Sequence, residues 1–364
     1  GSSAAHIRYG DKFFDEMAYA KAIPEYQAAV DQGAVNEHVT SRLAECYLRL
    51  NDPQRAEYWY STVVKFLNIN PTNYYYYAQA LKSNGRYDQA EKWMDKYLTV
   101  TDATGSKRSN ISDFARKFAY DMDRYKVTPI SANSKYSDFG AAWYGDTKMI
   151  FASSRKETVG IQRRAGFNDQ PFLDLYAADV MPSGDIAGIQ PLKGDINSKL
   201  HEGPVSCSSD AGEMYFTRND LYKGKSVKSS KGVHHLNIYR ATRSGDAFDV
   251  VGAFIHNKPE FSVGHPSLSQ DGNRIFFASD MPGGQGGSDI FYCERVDGKW
   301  SEPKNLGTGV NTERDELFPF IAADGTLYFA SNGHPGLGGL DVFAAPRQEA
   351  SGYDLAINMG APVN

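Results

Sequence analysis

Residues 317–343 read LFPFIAADGTLYFASNGHPGLGGLDVF. Three short apolar runs stand in this stretch, at 317–322, 326–330 and 341–344. Asp324-Gly325 separates the first two. Asp-Gly between apolar runs predicts a tight hairpin, because glycine accepts the positive φ of the turn. A glycine-rich loop, 332–339, leads to the third run. Three strands are too few for an independent domain, so the unit must recur. Residues 265–293, HPSLSQDGNRIFFASDMPGGQGGSDIFYC, repeat it, with PGGQGGSD answering HPGLGGLD.

Two further units align before these, at 137–180 and 202–243. In each, an apolar strand turns into an aromatic strand that ends in Ser or Thr. A loop then leads to a strand beginning Asp174-Leu175-Tyr176, Asn237-Ile238-Tyr239, Asp289-Ile290-Phe291 or Asp341-Val342-Phe343. A fourth strand is expected at 190–192, 250–254, 304–307 and 355–359. Four strands per repeat read as β-propeller blades. Residues 127–133 resemble the repeat ends at 306–311 and 359–364. Such an outer strand, placed before the first unit, predicts a fifth blade in the parent protein. The alternative is that the fourth blade closes directly on the first.

Upstream, the period is helical. Ala22, Ala56 and Ala90 stand 34 residues apart, as do Gly10, Ala44 and Ala78. Small residues at fixed places let paired helices pack closely. Helix pairs are expected at 5–17 and 19–32, 36–50 and 53–67, and 71–84 and 87–100, with a capping helix at 109–125. The fold class is thus a helical-repeat solenoid over 4–125 followed by a β-propeller over 126–364.

The chain has 364 residues, a net charge of −5 and 23% charged residues, and so carries no basic footprint for nucleic acid. No apolar run is long enough to span a membrane as a helix. Cys46, Cys207 and Cys293 form no CxxC pair and read as small buried apolar residues. A Cys207–Cys293 bridge stays open at this point.

The 34-residue period, with LAECYLRLNDPQRAEYWY and YAQALKSNGRYDQAEKWM, resembles tetratricopeptide repeats. The blocks around DG…YFAS and GG.GG.D[IV][FY] resemble the WD40-like blades of the TolB propeller group. Together they are similar to the OmpA-family envelope lipoproteins of Bacteroidetes, with a PorE-type layout, of the type IX secretion system. The resemblance implies a periplasmic protein, lipid-anchored to the outer membrane when full-length. It implies other envelope and secretion-system proteins as partners. Peptidoglycan would be met only through a C-terminal domain lying outside these residues.

Candidate partner-binding residues follow from the first helix of each pair: Arg42, Glu45, Arg49, Asn73, Tyr74 and Tyr77. Two basic insertions between second and third strands add Arg163 and Arg164, and Lys223, Lys225 and Lys228. Asp138, Glu202, His265 and Glu316 stand near the starts of first strands and are expected to line the central channel. No GxxxxGK[ST], HExxH or GxSxG is present, so no cofactor, metal or catalytic residue is assigned. The expectation is a non-enzymatic scaffold. The rival is a propeller-channel enzyme or small-ligand sensor acting on a sugar or peptide.

Overall fold

A computed structural model describes all residues except 103, 105–106, 120–123, 156–163, 166, 220, 223–224, 227–233 and 349–351. Arg163, Lys223 and Lys228 lie outside the described residues. Among those described, seven helices come first: α1 (Ser3–Asp15), α2 (Tyr19–Asp31), α3 (Glu37–Arg49), α4 (Pro53–Val63), α5 (Thr72–Ser83), α6 (Tyr87–Thr101) and α7 (Ile111–Phe118). Local chemistry sets their starts. The Asn36 side chain accepts from Val39 N at 3.1 Å, and Asp52 accepts from Arg55 N at 3.1 Å with Pro53 opening the helix. Ala22, Ala44, Ala56, Ala78 and Ala90 are all buried in one shared core, which explains the 34-residue spacing of small residues. At Gly10 a Cβ would stand 2.7 Å from the Tyr26 ring, so that helix contact requires glycine.

Four antiparallel sheets follow. The first holds Asp138–Tyr144, Lys148–Ser153, Asp174–Val180 and Ile186–Pro191. The second holds Glu202–Cys207, Glu213–Asn219, Leu236–Ser244 and Ala247–Ala253. The third holds Val263–Leu268, Arg274–Ser279, Asp289–Val296 and Lys304–Asn305, with Lys299–Trp300 beside them. The last holds Glu316–Ile321, Leu327–Ser331, Asp341–Ala345 and Ile357–Asn358. The four first strands line one axial cavity, a propeller arrangement. Four blade sheets, not five, stand among the described residues beside two two-stranded ribbons, and the Phe139 and Phe318 rings bring the first and last blades within 6.2 Å.

Aromatic and aliphatic residues of facing sheets make the cores between blades. Ile150, Leu175, Met214, Phe216 and Phe248 join the first two blades. Tyr215, Ile238, Phe277 and Phe291 join the second and third, and Phe276, Ile290, Phe329 and Phe343 the third and fourth. Cys46 and Cys293 are buried thiols and Cys207 is a half-buried one; all three are free.

The fourth strands of the third and fourth blades are only two residues long, shorter than their sequence suggests. An asparagine completes the edge instead. In the third blade Asn311 Oδ1 accepts from Ile290 N at 2.8 Å, and its Nδ2 donates to Ile290 O at 3.0 Å. Asn197 does the same to Leu175, Asn257 to Ile238 and Asn364 to Val342. One side-chain amide thus satisfies both backbone groups of a third-strand residue. Asn311→Ala leaves Ile290 N without a partner in a buried place, while Ile290 O keeps Leu306 N at 3.2 Å. The expected loss is about 1–3 kcal/mol, read as a lowered urea midpoint with unchanged slope.

Candidate functional site

The helical layer sits on the edge of the propeller where the first strands begin, and it touches the first and last blades. Ala20 N donates to Phe167 O at 3.0 Å, and the Tyr19 and Phe167 rings meet edge-on at 5.4 Å. Ala361 N donates to Phe118 O at 2.9 Å. The Arg314 guanidinium lies 4.0 Å over the Tyr75 ring. Gly338, at φ +144°, lets the fourth blade's loop approach α5, because a Cβ there would stand 2.7 Å from Ser83 N. The loop itself is folded around Asp341, whose carboxylate accepts from Leu337 N, from Gly338 N at 3.3 Å and from Asn358 Nδ2 at 2.8 Å.

Between α3–α5 and this loop lies a cleft of about 900 Å3. Its walls carry Arg49, Lys82 and Arg314, the rings of Tyr75 and Tyr76, and Asn332; none of the lining residues is Asp or Glu. Lys82 is only 9% exposed, and its ammonium has no hydrogen-bond or ion-pair partner among the described residues. Burial pushes its pKa below the ordinary lysine value, against the pull of the Asp341 carboxylate. Arg314 has no ion-pair partner among the described residues either. Arg49 is shared between Glu45 (2.9 Å) and the Tyr76 hydroxyl (3.4 Å). Asp315 adjoins the cleft, but its oxygens accept from Ser288 N at 3.1 Å and Asn332 Nδ2 at 3.3 Å. Lys82 feels the Asp341 carboxylate, but the Asp341 oxygens are taken by Leu337, Gly338 and Asn358, so the ammonium makes no ion pair. An incoming anion meets a cation whose desolvation cost is already present in the folded chain.

Of the residues expected on the helical groove, Arg49 alone reaches this cleft. Arg42 pairs with Asp11 (3.3 Å) and Asp15 (3.1 Å). Glu45 holds Arg49, and Asn73 donates to Glu37 at 2.8 Å. Tyr74 stacks on Trp93 at 5.7 Å under Lys96, and Tyr77 is buried against the same indole. These side chains hold helices together. Tyr75 and Tyr76, their neighbours in the same run, face the propeller instead. The 3.6-residue turn of α5 divides that tyrosine run between two faces, and only the docked propeller shows which face is which. Arg314 lies in the turn between blades, where the sequence offered no signal. In the basic insertions, Arg164 pairs with Asp169 at 3.3 Å, and Lys225 lies in the short strand Lys225–Ser226.

The channel expectation divides. His265 lines the axial cavity of about 240 Å3, together with Trp143, Cys207, Phe318 and Phe320. Asp138, Glu202 and Glu316 do not line it; their carboxylates turn into the blades. Each accepts from the residue four positions earlier: Ser134, Ser198 or Thr312. Each is also held from the second strand or just past its end, Asp138 by Ser153 and Arg155, Glu202 by Arg218 at 2.9 Å, and Glu316 by Ser331 at 2.6 Å. Their spacing marks a buried fastening that starts a blade. Among the described residues, no group of three or more His, Cys, Asp or Glu could hold a metal ion.

The chain is therefore a helical layer docked on a four-sheet propeller arrangement. No family model matches it, and no curated protein matches it. Among solved structures it is similar to TolB from Acinetobacter baumannii, at 15% identity over 63% of this chain and 44% of that one, TM-score 0.39. It is similar to hydrazine synthase from Kuenenia stuttgartiensis, at 13% identity over 62% and 33%, TM-score 0.39. It is also similar to a gluconolactonase from Xanthomonas campestris, at 10% identity over 62% and 77%, TM-score 0.33. The chain spans less than half the length of the TolB chain it matches. At these scores the likeness carries no argument; four sheets around one cavity carry the propeller arrangement on their own.

Proposed function

We propose that this chain is a non-enzymatic interaction scaffold of the bacterial cell envelope, in which the cleft between helices and propeller receives an acidic segment of a partner protein. The observation that carries the reading is the cleft's charge. Arg49, Lys82 and Arg314 line it without a carboxylate, in a chain whose net charge is −5. The resemblance of the helical part to tetratricopeptide repeats, and of the blades to envelope propellers, supports a periplasmic setting. In that setting the protein is a lipid-anchored component of a secretion or gliding complex of the type IX kind. It is tied to peptidoglycan by a further domain outside these residues, and five blades belong to the parent. The channel-enzyme reading requires converging carboxylates at the axis, whereas the three carboxylates nearest in sequence are fastened inside their blades.

The test pairs two measurements. A fluorescein-labelled oligoglutamate peptide is titrated by anisotropy, and captured proteins are compared from envelope extract, using the wild-type chain and Lys82→Met/Arg314→Ala. We expect the double variant to weaken peptide binding at least tenfold and to lose the enriched envelope proteins. Its urea midpoint should stay close to the wild type's, because Lys82 makes no hydrogen bond or ion pair and Asp341 keeps its Leu337, Gly338 and Asn358 donors. Equal binding by both proteins would overturn the cleft as the site.

A further inference from the structure

The fourth and first blades meet near the axis through Phe139 and Phe318, but farther out the sides they turn toward each other are less covered than those of the other blades and leave a gap. Each blade has one face toward the next blade and one toward the previous blade. On the forward face, Ile150 and Leu175, Tyr215 and Ile238, and Phe276 and Ile290 are all buried against the following blade. Their counterparts in the fourth blade, Tyr328 and Val342, are half-buried. Ser206 and Ser267 of the second and third blades accept from Leu268 N (2.9 Å) and Ile321 N (3.0 Å) of the next blade. Phe320 holds the same place in the fourth blade and is 53% exposed. Across the gap, Trp143 of the first blade is 57% exposed, whereas Leu268 and Ile321 at the matching register are buried.

Residues 127–133 already sit in this gap as an outer strand would. Ile130 and Ala132 pack on Phe151, Tyr176 and Ile186 of the first blade's backward face. Ala132 precedes Asn133 as Ile196 precedes Asn197 and Val310 precedes Asn311. Ile196 and Val310 likewise pack on the blade that follows them. The Arg155 guanidinium donates to Ala132 O at 2.8 Å, as Arg218 donates to Ile196 O. One element of the pattern is unfilled. Asn197, Asn257, Asn311 and Asn364 each bind the backbone of a third strand in their own blade. Asn133 is exposed, and its side chain meets no partner among the described residues.

We propose that the gap is the seat of a fifth blade. Residues 127–133 supply its outer strand, and its other three strands come from polypeptide that continues this chain beyond Asn364. The register names the source. Asn133, Asn197 and Asn311 are each followed five residues later by the first residue of the next inner strand: Asp138, Glu202 and Glu316. Chain leaving Asn364 at that spacing begins an inner strand beside Phe320. The third strand of the new blade supplies the backbone N–H and C=O that Asn133 lacks, and its inner sheet face covers Trp143 and Phe320. Such closure joins the two ends of the ring in one sheet and removes its open edges.

Hydrogen exchange read by mass spectrometry tests this on two proteins, residues 1–364 and the same chain continued past Asn364. The expected result is exchange at least tenfold slower over 127–133 and 316–321 in the longer chain. Asn133→Ala should lower the urea midpoint of the longer chain and leave that of residues 1–364 unchanged. Equal exchange in the two proteins, or an equal effect of Asn133→Ala on both, would overturn the proposal. Protection that grows with the concentration of residues 1–364 would assign the gap to a second copy and overturn it too. This proposal rests on the five-blade part of the proposed function; none of its readouts depends on the cleft, so failure here removes the fifth blade and leaves the cleft's role standing.

Discussion

Arg218→Met should lower the unfolding free energy by about 1–3 kcal/mol, the cost of lost charge-assisted hydrogen bonds. Burial already pushes the Glu202 carboxyl up to about 7 against the pull of Arg218, so the acid takes up a proton once its cation is gone. Glu202 is fully buried, and its oxygens accept from Ser198 N (3.2 Å), Ser198 Oγ and Arg218 Nε (2.9 Å). Arg218 also donates to Ile196 O and packs its guanidinium over the Phe216 and Tyr239 rings at 5.1 and 5.2 Å. Methionine keeps the apolar stem but removes the charge and the donors, so the loss reports electrostatics more than packing. Adding Glu202→Gln to the variant replaces that neutral acid by a neutral amide. The double variant should therefore stay close to Arg218→Met, because no buried charge is left for the second substitution to remove. Urea melts of the four proteins check both statements. An Arg218→Met loss under 1 kcal/mol would mean that the pair is not the fastening described.

Lowering the pH from 7 to 4.5 should cost about 2 kcal/mol of stability through His265 alone. The ring stacks on Phe318 with centroids 4.0 Å apart, and its Nδ1 accepts from Phe318 N at 3.3 Å. A proton on Nδ1 would break that bond inside an apolar cavity. Burial accordingly pushes the pKa from 6.5 down to about 4. Below pH 6.5 the unfolded chain takes up a proton that the folded chain refuses until pH is near 4, so stability falls through that window and is intact above it. His265→Asn removes the titration and keeps a residue that tolerates the positive φ of 53° at this site. The measurement is the difference between wild type and His265→Asn at pH 7 and at pH 4.5, which cancels the shared carboxylates. A difference that does not change between the two pH values would place His265 in contact with bulk water.

Much of the architecture was legible in residues alone, for identifiable reasons. Ala22, Ala56 and Ala90 revealed the helix pairs because close packing tolerates only small side chains there. The DG turns and aromatic strands revealed the blades because turn geometry and sheet period are local properties. The asparagines Asn197, Asn257, Asn311 and Asn364 did not stand out as a set, because their partners are backbone groups about twenty residues away. Asp138, Glu202 and Glu316 misled for a related reason. Their spacing shows that each begins a strand, yet the side of the strand that a carboxylate takes depends on what waits there. Ser134, Ser198 and Thr312, and the second-strand donors, draw them inward.

The sequence by itself determined seven helices' worth of apolar periodicity, four blades in register, and an unmatched outer strand at 127–133. These follow from interactions within a few tens of residues. Tertiary structure alone decided where the helical layer docks, and hence that Arg49, Lys82 and Arg314 meet in one cleft. It alone showed that Trp143 and Phe320 stand uncovered at the gap between the last and first blades. Those residues are separated by up to 265 positions in the first case and 177 in the second, counted as 314 − 49 and 320 − 143. Burial and charge pairing between such distant residues are set by how blades and helices pack as bodies, and no local period encodes that.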